Sequence, residues 1–405
     1  MAHQIDLVSL NNKIFGLFME HSNNLFRLGT ESAFEVLARA QDLSLKGKNI
    51  INLGIGQPDF KTADHIVEAA IKALKDGHHG YTPANGILTL REAVSEDLFF
   101  RHQAEVSPEN IIIMPGGKPT MFYSILMFGG PNTEIMYPNP GFPIYESLIN
   151  YSGSKAVPIK LEENLNFSFK AENVLHQISD KTRLIIINSP GNPTGGVIPK
   201  EEIETLVEGL EKFPKVTILS DEIYSRMVYG GKQHVSLLDF PSIRDRLIVL
   251  DGWSKTFAMT GWRLGFSVWP DQILEYAKRL CINNHSCVNT PTQYAGIAAL
   301  KGPQDIVENM LNEFEKRRRF IIEALNKLPG ISCKKPGGAF YVFPNIMKTG
   351  LSSQKAQDDF LEIAGVATIS GTSFGEFGEG FLRFSYANSL HNIEEALTRI
   401  KKVID

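Results

Sequence analysis

Apolar residues are grouped in two distinct ways along this chain. From Ser32 to Leu45 they recur at helical spacing, and the pattern breaks at Lys46-Gly47-Lys48. From about Ile66 onward, helical stretches alternate with short continuous apolar runs at residues 111–114, 134–137, 184–187, 216–219 and 247–250. Each run ends in turn residues: Pro115-Gly116-Gly117, Pro138-Asn139-Pro140, Asn188-Ser189-Pro190-Gly191-Asn192-Pro193, Ser220-Asp221-Glu222 and Asp251-Gly252-Trp253-Ser254-Lys255. Continuous β-branched runs separated by helices predict buried strands of a mostly parallel sheet, and so an α/β fold. In such sheets ligands bind in the crevice at the carboxyl ends of the strands. That rule gathers Gly116, Gly117, Asn192, Asp221 and Lys255 at one edge. From about Phe314 a long helix opens a second, α+β unit, with strands over residues 338–343 and 380–386.

Length and composition change this picture little. A chain of 405 residues with 43% hydrophobic and 21% charged residues accommodates one large and one smaller globular domain. The net charge of −4 carries no basic footprint for nucleic acid. The run Lys316-Arg317-Arg318-Arg319 lies in a helical pattern opposite Phe314, Ile321, Ile322 and Leu325, and reads as a solvated helix face. The three cysteines form no CxxC pair and have no histidine cluster beside them, so neither a disulfide framework nor a metal site is expected. A reducing, cytoplasmic setting follows, and no apolar run reaches the length of a membrane span. Residues 1–24 lack the features of a signal peptide. They read as a short N-terminal extension or arm, or as the product of a start upstream of Met19.

The candidate chemistry sits after the strands. Lys255 lies among Trp253, Phe257 and Met259, where desolvation would keep its amine nucleophilic; the plainer reading is a snorkelling surface lysine. Arg263 and the hydroxyl of Ser254 are suited to a phosphate. Gly116 and Gly117, with Pro119 just inside a helix start, form either a phosphate cradle or simply a tight turn. Asp221 ends a buried strand and needs a partner: a cation such as a ring pyridinium, or the N–H groups of the following turn. Asn192 and Tyr224 could bond a phenolic oxygen, although Asn192 also suits the turn before Pro193.

Taken in order, these blocks resemble the class I, fold-type I pyridoxal-phosphate-dependent aminotransferases, close to the aspartate and aromatic branch. The matching segments begin with Leu53-Gly54-Ile55-Gly56-Gln57-Pro58-Asp59-Phe60, Tyr81-Thr82-Pro83-Ala84-Asn85-Gly86 and Gly116-Gly117-Lys118. They continue with the segments from Asn188 to Gly195, Ser220 to Tyr224, Ser254 to Gly265 and Leu382 to Ala387. The resemblance implies a large domain over residues 61–313 with a mostly parallel seven-stranded sheet flanked by helices. A smaller α+β domain would be built from both termini, residues 25–60 and 314–405. It implies pyridoxal 5′-phosphate held as a Schiff base on Lys255, with Asp221 on the pyridine nitrogen and Asn192 and Tyr224 on the phenolic oxygen. Phe142 would stack on the ring. Gly116, Gly117, Lys118, Ser254 and Arg263 would form the phosphate cup, reached by Tyr81 of a neighbouring subunit. Arg383, with Asn192 and the backbone at Gly56, would clamp the substrate α-carboxylate. Tyr81 and the loop Asn283-Asn284-His285-Ser286 would then belong to a homodimer with shared sites.

The implied reaction is a ping-pong transfer of an amino group between an L-amino acid and a 2-oxo acid such as 2-oxoglutarate. Another reaction on the same scaffold, such as C–S β-elimination or a synthase, is the nearest alternative. A non-catalytic regulator would need a DNA-binding domain for which only about two dozen residues precede the resemblance. A nicotinamide oxidoreductase lacks its GxGxxG after the first strand. The chain departs from the family pattern at Gln57, where Glu is usual, and at Trp253, in a commonly smaller slot. It departs also at Glu31, where some aspartate-specific members have a small polar residue. A carboxylate there would repel an acidic side chain unless Lys118 offsets it, so Glu31 and Lys118 compete to set the substrate preference.

Overall fold

The structure, a computed structural model, describes residues 21–231 and 234–404, so most of the N-terminal extension lies outside it. In chain order the described strands are β1 (Ile51–Asn52), β2 (Ile111–Met114), β3 (Glu134–Asn139), β4 (Lys155–Lys160), β5 (Thr182–Asn188) and β6 (Thr217–Asp221). They continue with β7 (Leu247–Gly252), β8 (Gly265–Val268), β9 (Tyr341–Val342), β10 (Val366–Ala367), β11 (Ile369–Ser370) and β12 (Leu382–Ser385). Seven form the main sheet in the order β2-β8-β7-β6-β5-β3-β4. Every pairing in it is parallel except those of β8, which runs antiparallel to both β2 and β7.

Successive side chains of a strand point to opposite faces, so a continuously apolar strand must be covered on both. Here the runs divide accordingly. Ile111, Ile113, Ile185, Ile187 and Val249 enter one core, and Ile112, Met114, Leu184, Ile186 and Leu250 enter another. Leu90 and Val94 of helix Leu88–His102, with Ile203 and Leu206 of helix Lys200–Leu210, cover the first face. Met121 and Ile125 of helix Lys118–Phe128, with Leu274 and Ala277 of helix Asp271–Asn284, cover the second.

A third core belongs to the C-terminal unit, where β11-β12-β9 form a small antiparallel sheet. Helix Asp305–Leu325 starts earlier than Phe314 and buries Val307, Met310, Phe314, Arg318, Ile321 and Leu325, a stripe at three- and four-residue steps. β1 pairs in parallel with β10, so the N-terminal segment joins this unit from the other end of the chain. Helix Ser32–Leu45 has the bounds its pattern implies.

One surface reading is corrected. Lys316 and Arg319 are exposed, but Arg317 and Arg318 are buried. Arg317 bonds Asp59 at 2.7 Å and Glu313 at 3.1 Å, while Arg318 bonds Glu315 at 2.8 Å and the carbonyl of Pro336 at 2.9 Å. Those partners make burial of two guanidinium groups tolerable. Among the described residues no helix is long and apolar enough to cross a membrane.

Candidate active site

The carboxyl ends of β2, β5, β6 and β7 open onto one cavity of about 490 Å³, closed from the other side by residues of the small unit. It is lined by Gly117, Lys118, Phe142, Asn192, Asp221, Tyr224, Ser254, Lys255, Arg263, Gly56 and Arg383. Gly116 adjoins it, because a Cβ on that glycine would lie 2.2 Å from Nη2 of Arg263. Its φ of +85° is one that side-chain-bearing residues avoid, so the backbone favours glycine there, and a side chain would displace the Arg263 guanidinium. Ser254 is buried at the start of the short helix Trp253–Thr256 that also carries Lys255. Gly117 precedes helix Lys118–Phe128, with a proline in its first turn, leaving N–H groups without intrahelical partners.

Three groups in the cavity lack a partner that their charge calls for. Asp221 is buried at the end of β6, where burial pushes its carboxyl up to about 6. It accepts from the hydroxyl of Tyr145 at 2.5 Å and, more weakly, from the N–H of Ile223 at 3.3 Å. Both donors are neutral, and the turn contact is the N-cap role weighed from the sequence. Lys255 is half-buried, and desolvation, with the nearby Arg383 cation, lowers its amine to about 8. Its Nζ donates to the carbonyl of Gly56 at 2.6 Å. Arg383 is buried on β12; it donates to Oδ1 of Asn192 at 2.8 Å and to the carbonyl of Gly54 at 2.5 Å. Its Nε is buried without a partner among the described residues, a donor still to be satisfied.

Other expected residues are placed less simply. Lys118 turns its ammonium to Glu31, not to Arg263, so only its backbone N–H is left for a phosphate. Tyr81 is 94% exposed and does not line the cavity of its own chain. In the Asn283 to Ser286 loop, Asn284 and His285 contact the hydroxyl of Tyr123 at 2.9 and 3.1 Å.

Two tyrosines went unnoticed in the sequence. Tyr341 on β9 places its hydroxyl 2.9 Å from that of Tyr224. It also lies so near Gly56 that a Cβ there would meet it at 2.1 Å. Tyr145, three residues after Phe142, bonds Asp221. Tyr341 sits in the stretch read as a strand, residues 338–343, and Tyr145 in helix Ile144–Ser152 just beyond Phe142. A polar tip on a buried aromatic was the available signal, since such hydroxyls need partners. Asn188 is a third; its side chain donates to the backbone carbonyl of Asp221 and accepts from the N–H of Asn192, both at 3.0 Å.

Comparison with known proteins identifies the family. The profile of the family described as aminotransferase class I and II matches residues 48–400. An aspartate aminotransferase of Pyrococcus horikoshii is 41% identical over 365 residues, covering 89% of this chain and 92% of that protein. The aromatic-amino-acid aminotransferase 2 of Thermococcus litoralis is 38% identical over 366 residues, covering 90% and 94%. The solved structure of the Thermus thermophilus aspartate aminotransferase with maleate has a TM-score of 0.90 at 30% identity, covering 95% of this chain and all of that one. On these matches the chain belongs to the class I and II aminotransferases, enzymes that transaminate between amino acids and 2-oxo acids with pyridoxal 5′-phosphate.

Proposed function

We propose that transamination in this protein runs on Lys255, Asp221 and Arg383. The observation that carries the reading is the convergence of three groups on one cavity: a buried carboxylate held only by neutral donors, an amine whose charged form burial disfavours, and a buried guanidinium N–H without an acceptor among the described residues. Pyridoxal 5′-phosphate and an amino-acid substrate between them offer what these groups lack: a pyridinium N–H, an aldehyde and an α-carboxylate. Bound there, the cofactor supplies the aldehyde that takes up the amino group and a ring that delocalises the electron pair left on Cα.

The protein's own residues do the rest. Lys255 would carry the cofactor and, once displaced, its Nζ would take the proton from the substrate's Cα and deliver it to the carbon that had been the cofactor's aldehyde; an amine at about 8 is free enough to act as a base near neutral pH. Asp221 holds the proton on the ring nitrogen, and an ion pair there would relieve the cost of its burial. Arg383 orients the α-carboxylate, with Asn192 and the backbone at Gly56 beside it. Tyr224, braced by the hydroxyl of Tyr341, and Asn192 would hold the phenolic oxygen, and Phe142 would pack on the ring. Gly116, Gly117, Ser254, Arg263 and the backbone of Lys118 hold the phosphate, where the N-terminus of helix Lys118–Phe128 favours an anion.

The exposed Tyr81, and an apolar surface of Phe122, Leu126, Tyr276 and Ile282, support a homodimer in which Tyr81 completes the partner's phosphate cup. Three free cysteines support a cytoplasmic setting. The test of this reading is a half-reaction. Holoenzyme given an amino acid alone should release one equivalent of 2-oxo acid per site and stop, restarting only when a 2-oxo acid is added. Lys255→Ala should not complete even that single turnover, and a variant that does would displace Lys255 from its role.

A further inference from the structure

Glu31 and Lys118 come from separate parts of the chain and meet at the mouth of the cavity. Glu31 precedes helix Ser32–Leu45, and Lys118 is the first residue of helix Lys118–Phe128. Nζ of Lys118 donates to Oε2 of Glu31 at 2.7 Å and lies 5.6 and 5.5 Å from the ring centroids of Phe34 and Phe142. The ammonium is therefore held by a carboxylate and two aromatic faces at once. The Glu31 side chain is 18% exposed and that of Lys118 46%, so the carboxylate is the more deeply set partner. Both line the cavity that contains Lys255 and Arg383, and the charge of Glu31 acts on Lys255 and on Tyr341.

This arrangement bears on what the cavity accepts. If Arg383 and Lys255 engage the α-carboxylate and amino group, as proposed above, the substrate's side chain is left with the remaining wall. That wall includes Ala33, Phe34, Ile55 and Phe142 beside the Glu31–Lys118 pair. These neighbours are apolar or aromatic, and the ammonium of Lys118 among them is already paired. Phe34 is 57% exposed, a large apolar surface at the mouth that a substrate ring could cover. A neutral side chain can lie over an intact ion pair without stranding either charge. A dicarboxylate has to bring its distal carboxylate up to that of Glu31 or break the pair to reach Lys118, and either is costly in a partly desolvated pocket.

We infer that the Glu31–Lys118 ion pair makes this enzyme select amino acids with neutral, chiefly aromatic, side chains over dicarboxylic ones, with Glu31 as the residue that sets the choice. The inference rests on the reading of the Lys255–Arg383 cavity as the substrate site. Glu31 acts as an internal counter-ion, occupying Lys118 so that a neutral side chain does not face a bare ammonium. The acceptor passes through the same site, so neutral 2-oxo acids are preferred on the return half as well.

The experiment measures kcat/KM for phenylalanine and for aspartate with a common saturating acceptor, in the wild-type holoenzyme, Glu31→Gln and Lys118→Gln. In parallel, the affinities of two unreactive acids, 3-phenylpropionate and maleate, are read from the cofactor's absorbance. The wild type should favour phenylalanine and 3-phenylpropionate by about tenfold or more, a preference equivalent to about 1.4 kcal/mol. Glu31→Gln should raise aspartate and maleate by about tenfold while lowering the neutral ligands several-fold, because Lys118 is then unpaired. Lys118→Gln should weaken the dicarboxylates further, since Glu31 then stands alone. A wild type that prefers aspartate and maleate, or a Glu31→Gln enzyme with unchanged ratios, would overturn the inference. Failure of the underlying site reading would look different. No amino acid would be turned over, or neither acid would perturb the cofactor spectrum, and the selectivity would have no site to act in.

Discussion

The hydroxyl of Tyr145 donates to Oδ2 of Asp221 at 2.5 Å in a region closed to solvent, and among the described residues the other carboxylate oxygen accepts only the N–H of Ile223. These neutral donors fix the direction of the carboxylate without compensating its charge. A strand end that holds an aspartate this way, with no basic side chain bonded to it among the described residues, is prepared for a cationic ligand.

That preparation has a measurable cost without the cofactor. Burial raises the Asp221 carboxyl from 3.8 to about 6, so the folded state disfavours its ionised form. The contribution from keeping the proton is fully present below pH 3.8 and is lost as pH rises through about 6. Cofactor-free Asp221→Asn should therefore be more stable than cofactor-free wild type above pH 6, by on the order of 3 kcal/mol. The difference should vanish near pH 4 and below. Denaturant unfolding at several pH values measures it, and a constant offset across the range would remove Asp221 as its source. The same variant should transaminate on the order of a thousandfold more slowly, since the proton on the ring nitrogen is no longer held by an ion pair.

Tyr145→Phe isolates the second residue of this pair. Its hydroxyl favours the ionised form of Asp221, so its loss moves that carboxyl further up. Hydrogen bonds to charged groups contribute about 1.5–3 kcal/mol, so kcat should fall roughly ten- to a hundredfold while the covalent cofactor link is kept. The pH titration of the cofactor's absorbance should shift in step. An unshifted titration with normal kcat would make Tyr145 a packing residue only.

Much of this was legible in the chain because the main strands are buried on both faces, which leaves continuous apolar runs with chemistry at their ends. β4 was not read because it lies at the sheet edge, where Lys155, Pro158 and Lys160 are tolerated and interrupt the apolar signal. β8 was missed because Gly265–Val268 falls within a segment rich in motif residues, and its antiparallel place between β2 and β7 is a tertiary fact. Arg317 and Arg318 looked solvated because their partners Asp59 and Pro336 are distant in sequence. The commitment of Lys118 to Glu31 joins residues 87 positions apart, and the hydroxyls of Tyr145 and Tyr341 were hidden in runs whose periodicity reports burial, not polarity.

The exposure of Tyr81 leads to a test of subunit sharing. Tyr81→Ala and Lys255→Ala each damage one contribution to a site, and in a shared-site dimer the two contributions come from different chains. After complete subunit exchange, half the dimers are hybrids with one intact site, so about a quarter of wild-type activity per site should return. Sedimentation should show a dimer for both variants. A mixture that stays inactive after exchange, or an active monomer, would contradict sharing.

The central claim is that Lys255 carries the cofactor, and the most direct measurement is borohydride reduction of the holoenzyme followed by peptide mapping. One pyridoxyl group per chain should be found, on Lys255, with none in Lys255→Ala. The rate of covalent attachment to cofactor-free enzyme should rise with pH through a midpoint of about 8, where the amine loses its proton. A label on Lys118 or any other lysine, or a label retained in Lys255→Ala, would contradict the account.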